Sequence, residues 1–352
     1  MKNYFYLLSG NNGATYIFNT CSWVTITESL KFYRAYTLKG KILKNLLKCF
    51  LFVVGRFFPS YCKSKDVIDE YLKEYIDLNI DLNLDANSSV LISPTRDKVI
   101  VNHHGQYFHK FAFGKSFEKV QNESAIYSLL ENSKEFQVAS LIDLKIDKTA
   151  SSCNFKLVNP LFNKYSELYD LENLPKALVV FFNSSAIKKS VNVSEYIDNL
   201  LKRFHSLNLL PINNLTNYLG AIQKEDPTET FPLGLVHRDF KPWNTLLRAD
   251  LLIFDFEEAI TNGPPLEDLL NYYIDPVVRY QSTKQVYDFV FSKERVAAYK
   301  AYLHLLKINL QFELFIVTHM IERILFWTLA GENATAKCYQ NLLNHIIRNH
   351  KP

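Results

Sequence analysis

The chain has 352 residues, a net charge of +4 and a hydrophobic fraction of 48%. This length exceeds one ordinary domain, and a composition poor in Gly and Pro, without low-complexity tracts, excludes a fibrous or disordered chain. So small a net charge does not indicate a nucleic-acid partner. The five cysteines are scattered and include no CxxC pair, which predicts reduced thiols rather than disulfides or a zinc site.

Residues 1–87 are predicted to form an N-terminal extension. Residues 1–26 alternate aromatic, polar and β-branched side chains, a pattern that predicts one or two short strands. From 29 to 58 the pattern becomes helical, and its apolar stretch is far shorter than the roughly 20 residues that span a bilayer. Nine basic residues and no acidic residue lie between Glu28 and Asp66.

The helical segment at 29–58 has two interpretations. Lys41, Lys44 and Lys48 share one face, and apolar residues such as Leu43 and Phe50 largely occupy the other. Such a helix is typical of an interfacial anchor on an anionic membrane, but it fits equally a helix packed on the protein body with a solvated lysine face. The first residues do not resemble a secretory signal, so we expect a cytoplasmic protein, and the first interpretation makes it peripheral on the inner face of the plasma membrane.

Two further regions follow the extension. Residues 88–158 are predicted to form a small strand-rich lobe, and residues 159–352 a mostly helical lobe. The predicted strands of the small lobe are 89–94, 98–103, 106–113, 138–145 and 154–158, with a helix at 117–130. The clearest helices of the second lobe are 194–205, 266–273, 292–306 and 312–329.

The segments HRDFKPWN at 237–244 and IFDFEEA at 253–259 carry the clearest chemical signal. They place Asp239, then Asn244 five residues later, then Asp255 eleven residues after that. Phosphoryl transfer from a nucleotide needs one carboxylate that orients the attacking hydroxyl, and an amide and a second carboxylate that hold Mg²⁺. The identities and order of these three side chains therefore predict a phosphotransferase.

HRDFKPWN resembles the catalytic loop of the protein-kinase-like superfamily, and IFDFEEA resembles the metal-binding segment of its aminoglycoside phosphotransferase and choline kinase branch. The resemblance implies an α+β, bilobal fold, with a small antiparallel β-sheet N-lobe and a mostly helical C-lobe. It implies ATP as phosphoryl donor and Mg²⁺ as cofactor.

The resemblance also implies residue roles. Asp239 is the expected catalytic base, and Asn244 and Asp255 are the expected metal ligands. Lys241 has two interpretations, a catalytic contact to the transferring phosphate or a solvated lysine. Asp268 is expected to be buried at a helix start and to hydrogen-bond the catalytic loop, whereas His237 has a packing role.

Nucleotide binding is assigned to Lys110 and Glu123. A lysine on a strand can neutralise the α- and β-phosphates, and a glutamate on the next helix can hold it in place. Lys115 and Glu118 are the rival residues, but they lie in a turn and near a helix start. The chain departs from the superfamily at the nucleotide loop, because it has no G-x-G-x-x-G and a glycine-free turn at 93–97 stands in that position.

The acceptor is predicted to be a small hydroxylated molecule. Only 13 residues separate Asp255 from Asp268, which leaves no room for the peptide platform of protein kinases. Helices at 194–210 and 292–330 carry mixed charges, which does not favour a polycation. Together with the basic amphipathic region at 29–58, this predicts a sugar or lipid-linked saccharide of the cell envelope, phosphorylated at the inner face of a membrane. A protein kinase, or a catalytically weak pseudokinase that serves as a scaffold at a membrane surface, remain the alternatives.

Overall fold

The computed structural model divides the chain into two compact units. Unit 1 comprises Met1–Asn132 and Val138–Tyr165, and unit 2 comprises Ser133–Gln137 and Ser166–Pro352. The structure describes residues 4–9, 13–30, 38–75, 88–95, 97–103, 106–131, 133, 136–149, 151–158, 171–185, 189–207, 212, 214–223, 229–247 and 251–350. Residues 76–87 of the predicted N-terminal extension, residues 31–37 of its predicted helix and residues 159–170 of the predicted C-lobe lie outside these ranges.

An antiparallel sheet of eight strands, in the order β3-β1-β2-β4-β5-β6-β9-β8, forms unit 1. The strands of this part of the chain are β1 (Tyr4–Ser9), β2 (Thr15–Asn19), β3 (Lys63–Ser64), β4 (Ser88–Ile92), β5 (Lys98–His103), β6 (Tyr107–Phe113), β7 (Gln137–Val138), β8 (Leu141–Asp147) and β9 (Ser152–Val158). The helices are α1 (Trp23–Ser29), α2 (Leu38–Phe57), α3 (Lys65–Tyr75) and α4 (Phe117–Leu130). The order predicted for 88–158, three strands, a helix and two further strands, is therefore present, and the short strand β7 is additional.

The structure differs from the predicted division at the start of the chain. Strand β2 pairs with β4 in an antiparallel register, so the sheet continues from 88–158 into the first residues. Phe5 and Ile17 share one hydrophobic core with Val101 and Phe111, and Ile68 of α3 packs into the same cluster. Because a strand's partner is chosen by long-range packing, the sequence pattern could predict these strands but not their place in this sheet.

Helices α1 and α2 cover the opposite face of β1 and β2. Phe18 follows Ile17 and therefore points to the other side of the sheet, where it packs with Ile26 and Leu51. Helix α2 comes close to the residue after β2 at Gly55, where an added Cβ would lie 2.6 Å from Cβ of Thr20. Among the described residues, no helix has both the length and the apolar composition needed to cross a membrane.

Unit 2 is mostly helical. Its helices are α5 (Leu174–Asn183), α6 (Val193–Ser206), α7 (Leu215–Gln223), α8 (Glu267–Val278), α9 (Thr283–Val290), α10 (Lys293–Leu305), α11 (Phe312–Leu329) and α12 (Asn333–Asn349). Its strands are β10 (Lys189–Asn192), β11 (Thr230–Val236), β12 (Thr245–Leu247), β13 (Leu251–Ile253) and β14 (Ile260–Gly263). Together with the antiparallel sheet of unit 1, this confirms the predicted α+β class.

Candidate active site

A loop between β11 and β12 carries the first of the two sequence motifs, and the end of β13 carries the second. Strands β12 and β13 form an antiparallel hairpin in which Thr245 faces Ile253. The N–H of Phe254 donates a hydrogen bond of 3.2 Å to the carbonyl of Asn244. The hairpin therefore fixes the loop that carries HRDFKPWN beside the segment that contains Asp255.

Asp239 and Asn244 are in direct contact. Nδ2 of Asn244 donates to the Asp239 carboxylate at 2.7 Å and to the Asp239 backbone carbonyl at 2.9 Å. Because the amide nitrogen faces Asp239, the amide oxygen is the atom of Asn244 left with metal-ligand chemistry. Two carboxylates and one amide oxygen form the hard donor set that Mg²⁺ prefers, so the three predicted residues fit this ion.

His237 links the two motifs without acting as a base. Its Nε2 donates to the carbonyl of Phe254 at 2.9 Å, and its Nδ1 accepts from the backbone N–H of Asp239 at 3.3 Å. Burial lowers the pKa of His237, although the Phe254 carbonyl and the charges of Asp239 and Asp255 partly oppose this effect. The ring is therefore neutral with its proton on Nε2, which confirms the packing and hydrogen-bonding role predicted for it.

Arg238 lies in the left-handed backbone region, with φ of +62°, and several contacts hold it there. The Asp268 carboxylate accepts backbone N–H bonds from His237 at 2.8 Å and from Arg238 at 3.0 Å. Asn271 and Arg323 both donate to the carbonyl of Arg238, at 3.0 and 3.3 Å. Non-glycine residues in this region are strained and persist where the surroundings over-determine them. Asp268 thus has the predicted role of supporting the loop from the start of α8.

Asp255 also has a left-handed backbone, with φ of +71°, directly after the buried strand β13. Aspartate tolerates this conformation better than most residues. The turn ends the apolar run and leaves the side chain half-buried rather than enclosed in the core. This placement suits a carboxylate that carries a negative charge beside a cation.

Lys241 is buried and belongs to a charged network, which contradicts its interpretation as a solvated lysine. Its ammonium forms ion pairs with Asp239 and, at 3.1 Å, with Asp275 of α8. Asp275 is also bound by the buried guanidinium of Arg323 at 2.8 Å. The network connects the catalytic loop to α8 and α11.

Sequence reasoning missed Asp275 and Arg323. Both interrupt apolar helical runs, NYYIDPVV and FIVTHMIERILF, and both are less than 8% exposed. A charged residue inside an apolar run is costly to bury without a partner. That signal was available in the sequence, but it could not identify the partners.

In unit 1, Lys110 and Glu123 form the predicted pair. Nζ of Lys110 on β6 lies 2.8 Å from both carboxylate oxygens of Glu123 on α4, and both side chains are buried. The rival residues lie elsewhere, Lys115 in the short turn Gly114–Ser116 and Glu118 in the first turn of α4. The geometry supports the pairing, and the nucleotide-binding role remains a prediction.

The turn that replaces a glycine-rich loop is closed by side chains. The hydroxyls of Ser93 and Thr95 both donate to the carboxylate of Asp97, the first at 3.2 Å. The N–H of Ser93 also donates to the carbonyl of Lys98 at 2.9 Å. Hydroxyl-to-carboxylate bonds thus order this glycine-free turn.

One protein-family model matches the part of the chain that contains this site. Residues 182–303 match the phosphotransferase enzyme family model, and this segment contains both motifs. No curated protein matches the chain significantly.

Among solved structures, an aminoglycoside 2'-phosphotransferase-IIIa in its GDP complex is 14% identical, with a TM-score of 0.49 over 82% of this chain and 99% of that one. The choline kinase LicA from Streptococcus pneumoniae is also 14% identical, with a TM-score of 0.43 over 81% of this chain and 99% of that one. The family match confirms the predicted resemblance to phosphotransferases.

Proposed function

We propose that the chain transfers the γ-phosphoryl group of ATP to a hydroxyl of a saccharide, in a reaction that depends on Mg²⁺. The observation that carries the proposal is the contact between Asp239 and Asn244, beside Asp255, within the segment that matches the phosphotransferase family. Asn244 and Asp255 would hold the ion, which supplies charge neutralisation at the phosphate oxygens when bound.

The side chains of unit 2 suggest where the proton and the phosphoryl group go during the transfer. The Asp239 carboxylate accepts the proton of the acceptor hydroxyl, whose oxygen forms a bond to the γ-phosphorus. The bond from that phosphorus to the β,γ-bridging oxygen breaks, and ADP leaves with the electron pair. Lys241 adds a fixed positive charge next to Asp239. Positioning, more than proton removal, accounts for most of the rate in such reactions.

Lys110 would neutralise the α- and β-phosphates. A lysine that is almost fully buried keeps its charge only with a compensating acid, and Glu123 supplies one. Retention of this pair together with Asn244 and Asp255 argues against the pseudokinase alternative, because a scaffold would gain nothing from magnesium ligands.

Nucleotide binding and turnover test the proposal separately. ATP with Mg²⁺ should raise the melting temperature of the wild-type chain, and Asp255→Ala should abolish that rise. Asp239→Asn should lower the rate of ADP release with hydroxylated acceptors by about 100- to 10,000-fold while leaving nucleotide affinity nearly unchanged. Asp288→Asn, at an exposed acid of α9, is the matched control. Normal turnover in Asp239→Asn would refute the catalytic assignment.

We further propose that α2 docks the enzyme on an anionic membrane surface. Although Leu51 and Val54 are buried against the body, α2 carries other apolar residues that are exposed. Six of them lie within an arc of about 100° on the helix and are 43–67% exposed. These six are Ile42, Leu43, Leu46, Phe50, Val53 and Phe57. An exposed apolar stripe of this size indicates an interaction surface.

The charge around the stripe favours anionic lipid as its partner. Lys41 and Arg56 are exposed on the same helix, and Lys48 stacks over the ring of Trp23 at 4.1 Å. The sequence between Glu28 and Asp66 contains no acidic residue. Apolar burial and lipid attraction therefore act together, as in interfacial helices.

Sedimentation with phosphatidylglycerol vesicles and with phosphatidylcholine vesicles tests the docking. Deletion of the N-terminal segment is unsuitable because it would remove strands from the sheet. We expect the wild-type chain to bind the anionic vesicles, and the double variants Leu46→Asn with Phe57→Asn and Lys41→Glu with Arg56→Glu to lose binding. Leu329→Asn, at an exposed apolar residue of α11, is the control. Self-association without vesicle binding would favour a second copy as the partner and refute lipid docking.

A further inference from the structure

A cleft in unit 2 adjoins the catalytic carboxylate. It encloses about 100 Å³ and is open to solvent. Lys241 lies in its wall and forms an ion pair with Asp239. A molecule in this cleft would therefore lie one side chain away from the group that accepts the hydroxyl proton.

The aromatic faces of the cleft already carry cations. Nζ of Lys241 lies 5.5 Å from the ring centre of Trp243 and 5.6 Å from that of Trp327. The guanidinium of Arg279 lies 4.5 Å from the ring centre of Trp327. A cationic ligand would have to displace these charges or lie beside them, and like charges repel. The wall is therefore a poor site for an ammonium group.

The one acid of the wall is compensated from within the protein. Asp275 is bound by Arg323 and by Lys241, at 2.8 and 3.1 Å. Its negative charge is thus shared between two cations, and Arg279 at the mouth adds a third positive group. The cleft consequently has an excess of positive charge, which favours a ligand with a negative group.

The wall also has unused hydrogen-bonding groups. Among the described residues, Oδ1 of Asp275, Nε1 of Trp327 and the hydroxyl of Tyr339 are buried without a partner. A carboxylate oxygen accepts, an indole N–H donates, and a phenol does both. A polyhydroxylated ligand carries donors and acceptors of the kinds that these three groups lack, so it matches the chemistry of this wall.

We propose that this cleft binds the phosphoryl acceptor and selects a saccharide that carries a negative charge, either a phosphate or a carboxylate. The proposal rests on the proposed kinase function and specifies its acceptor. Arg279 is the specificity-determining residue that contacts the negative group, and Trp327 presents the ring face against which the sugar packs. Arg279 acts on acceptor binding, not on the transfer step.

Four sugars of similar size test the selection. We would measure affinity by calorimetry with ADP and Mg²⁺ present, and ADP release with ATP, for glucose 6-phosphate, glucuronate, glucose and glucosamine. The anionic sugars should bind at least about tenfold more tightly than glucose, and glucosamine most weakly. The first two probes distinguish phosphate from carboxylate. Equal binding of all four, no binding of any, or preference for glucosamine would overturn the proposal.

Arg279 variants test the residue assignment. Arg279→Glu should raise KM for the anionic sugar by about tenfold or more with kcat within about twofold, and Arg279→Lys should restore most of the affinity. Arg348→Glu, at an exposed arginine in the last turn of α12, makes the same charge change outside the cleft and should have no effect. An unchanged KM in Arg279→Glu would refute the assignment.

A nucleotide control distinguishes failure of the acceptor proposal from failure of the proposed kinase function. Stabilisation of the wild-type chain by ATP and Mg²⁺ without any sugar depends on the nucleotide site alone. If that stabilisation is present while the charge preference is absent, only the acceptor proposal is wrong. If the stabilisation itself is absent, the proposed function is wrong.

Discussion

Two buried lysines, Lys110 in unit 1 and Lys241 in unit 2, have different surroundings. Lys110 is held by Glu123, which lies 13 residues away on the next helix. Lys241 is held by Asp239 and by Asp275, a residue of α8 far along the chain. The first pair joins neighbouring elements, whereas the second network joins a loop to distant helices. The first lysine is therefore fixed locally, and the second depends on the packing of the whole unit.

The first prediction concerns a variant that breaks the Lys110–Glu123 pair, and its expected effect on stability is the largest. Glu123→Ala leaves the Lys110 charge buried without this carboxylate, and breaking a buried pair costs about 3–5 kcal/mol. We expect a corresponding fall in the free energy of unfolding, measured by urea denaturation of the full chain.

A double variant sharpens this prediction. Lys110→Met combined with Glu123→Leu removes both charges and should recover most of the lost stability, while it abolishes stabilisation by ATP and Mg²⁺. If Glu123→Ala were as stable as the wild-type chain, the pair would have no structural role.

The second prediction concerns a variant that breaks the network of Lys241, Asp275 and Arg323, and its expected effect on stability is smaller. Arg323→Met removes one hydrogen bond to Asp275 and one to the carbonyl of Arg238, but Lys241 continues to compensate Asp275. We expect a loss of about 1–3 kcal/mol in the free energy of unfolding. Because Arg238 has a strained backbone, kcat should fall more than the affinity for nucleotide changes.

An exposed arginine is the control for this variant. Arg203 makes two hydrogen bonds to Glu322 at the surface, at 2.8 and 3.2 Å. Arg203→Met should change stability by only a few tenths of a kcal/mol, since exposed ion pairs contribute little. Equal losses in the two variants would show that the buried network is no stronger than a surface pair.

The contrast between the lysines also explains how much the sequence could predict. The placement of Asp239, Asn244 and Asp255 on neighbouring segments was predictable, because one loop and one hairpin contain all three. Lys110 and Glu123 were predictable because a strand and its following helix are neighbours in the fold.

Long-range partners were not predictable in the same way. The contacts of Asp275 and Arg323 depend on how α8 and α11 pack, and nothing in either local pattern specifies that packing. The same limit applies to β2, whose pairing with β4 made the predicted extension part of the sheet. For α2, the periodicity gave the apolar stripe but could not tell which side of the helix faces solvent.

The prediction with the smallest expected effect concerns His109, the residue before Lys110, and the pH dependence of stability. His109 points to the opposite face of β6, where its Nε2 lies 3.4 Å from Oδ1 of Asn154. Burial lowers the pKa of His109 to about 4, with smaller lowering contributions from the charges of Lys156 and His103 and opposing ones from Asn154 and Asp143.

This shift makes unit 1 sensitive to moderate acid. Between pH 6.5 and about 4, the unfolded chain binds a proton at His109 that the folded chain does not, so stability falls as pH falls. From pH 7 to 5.5 the loss should be about 1 kcal/mol. His109→Gln should remove this part of the pH dependence in urea denaturation, whereas His304→Gln, at an exposed histidine of α10, should leave it unchanged. An identical slope in wild-type and His109→Gln chains would mean that His109 binds protons equally in the folded and unfolded states, and that the face of β6 opposite Lys110 does not penalise charge.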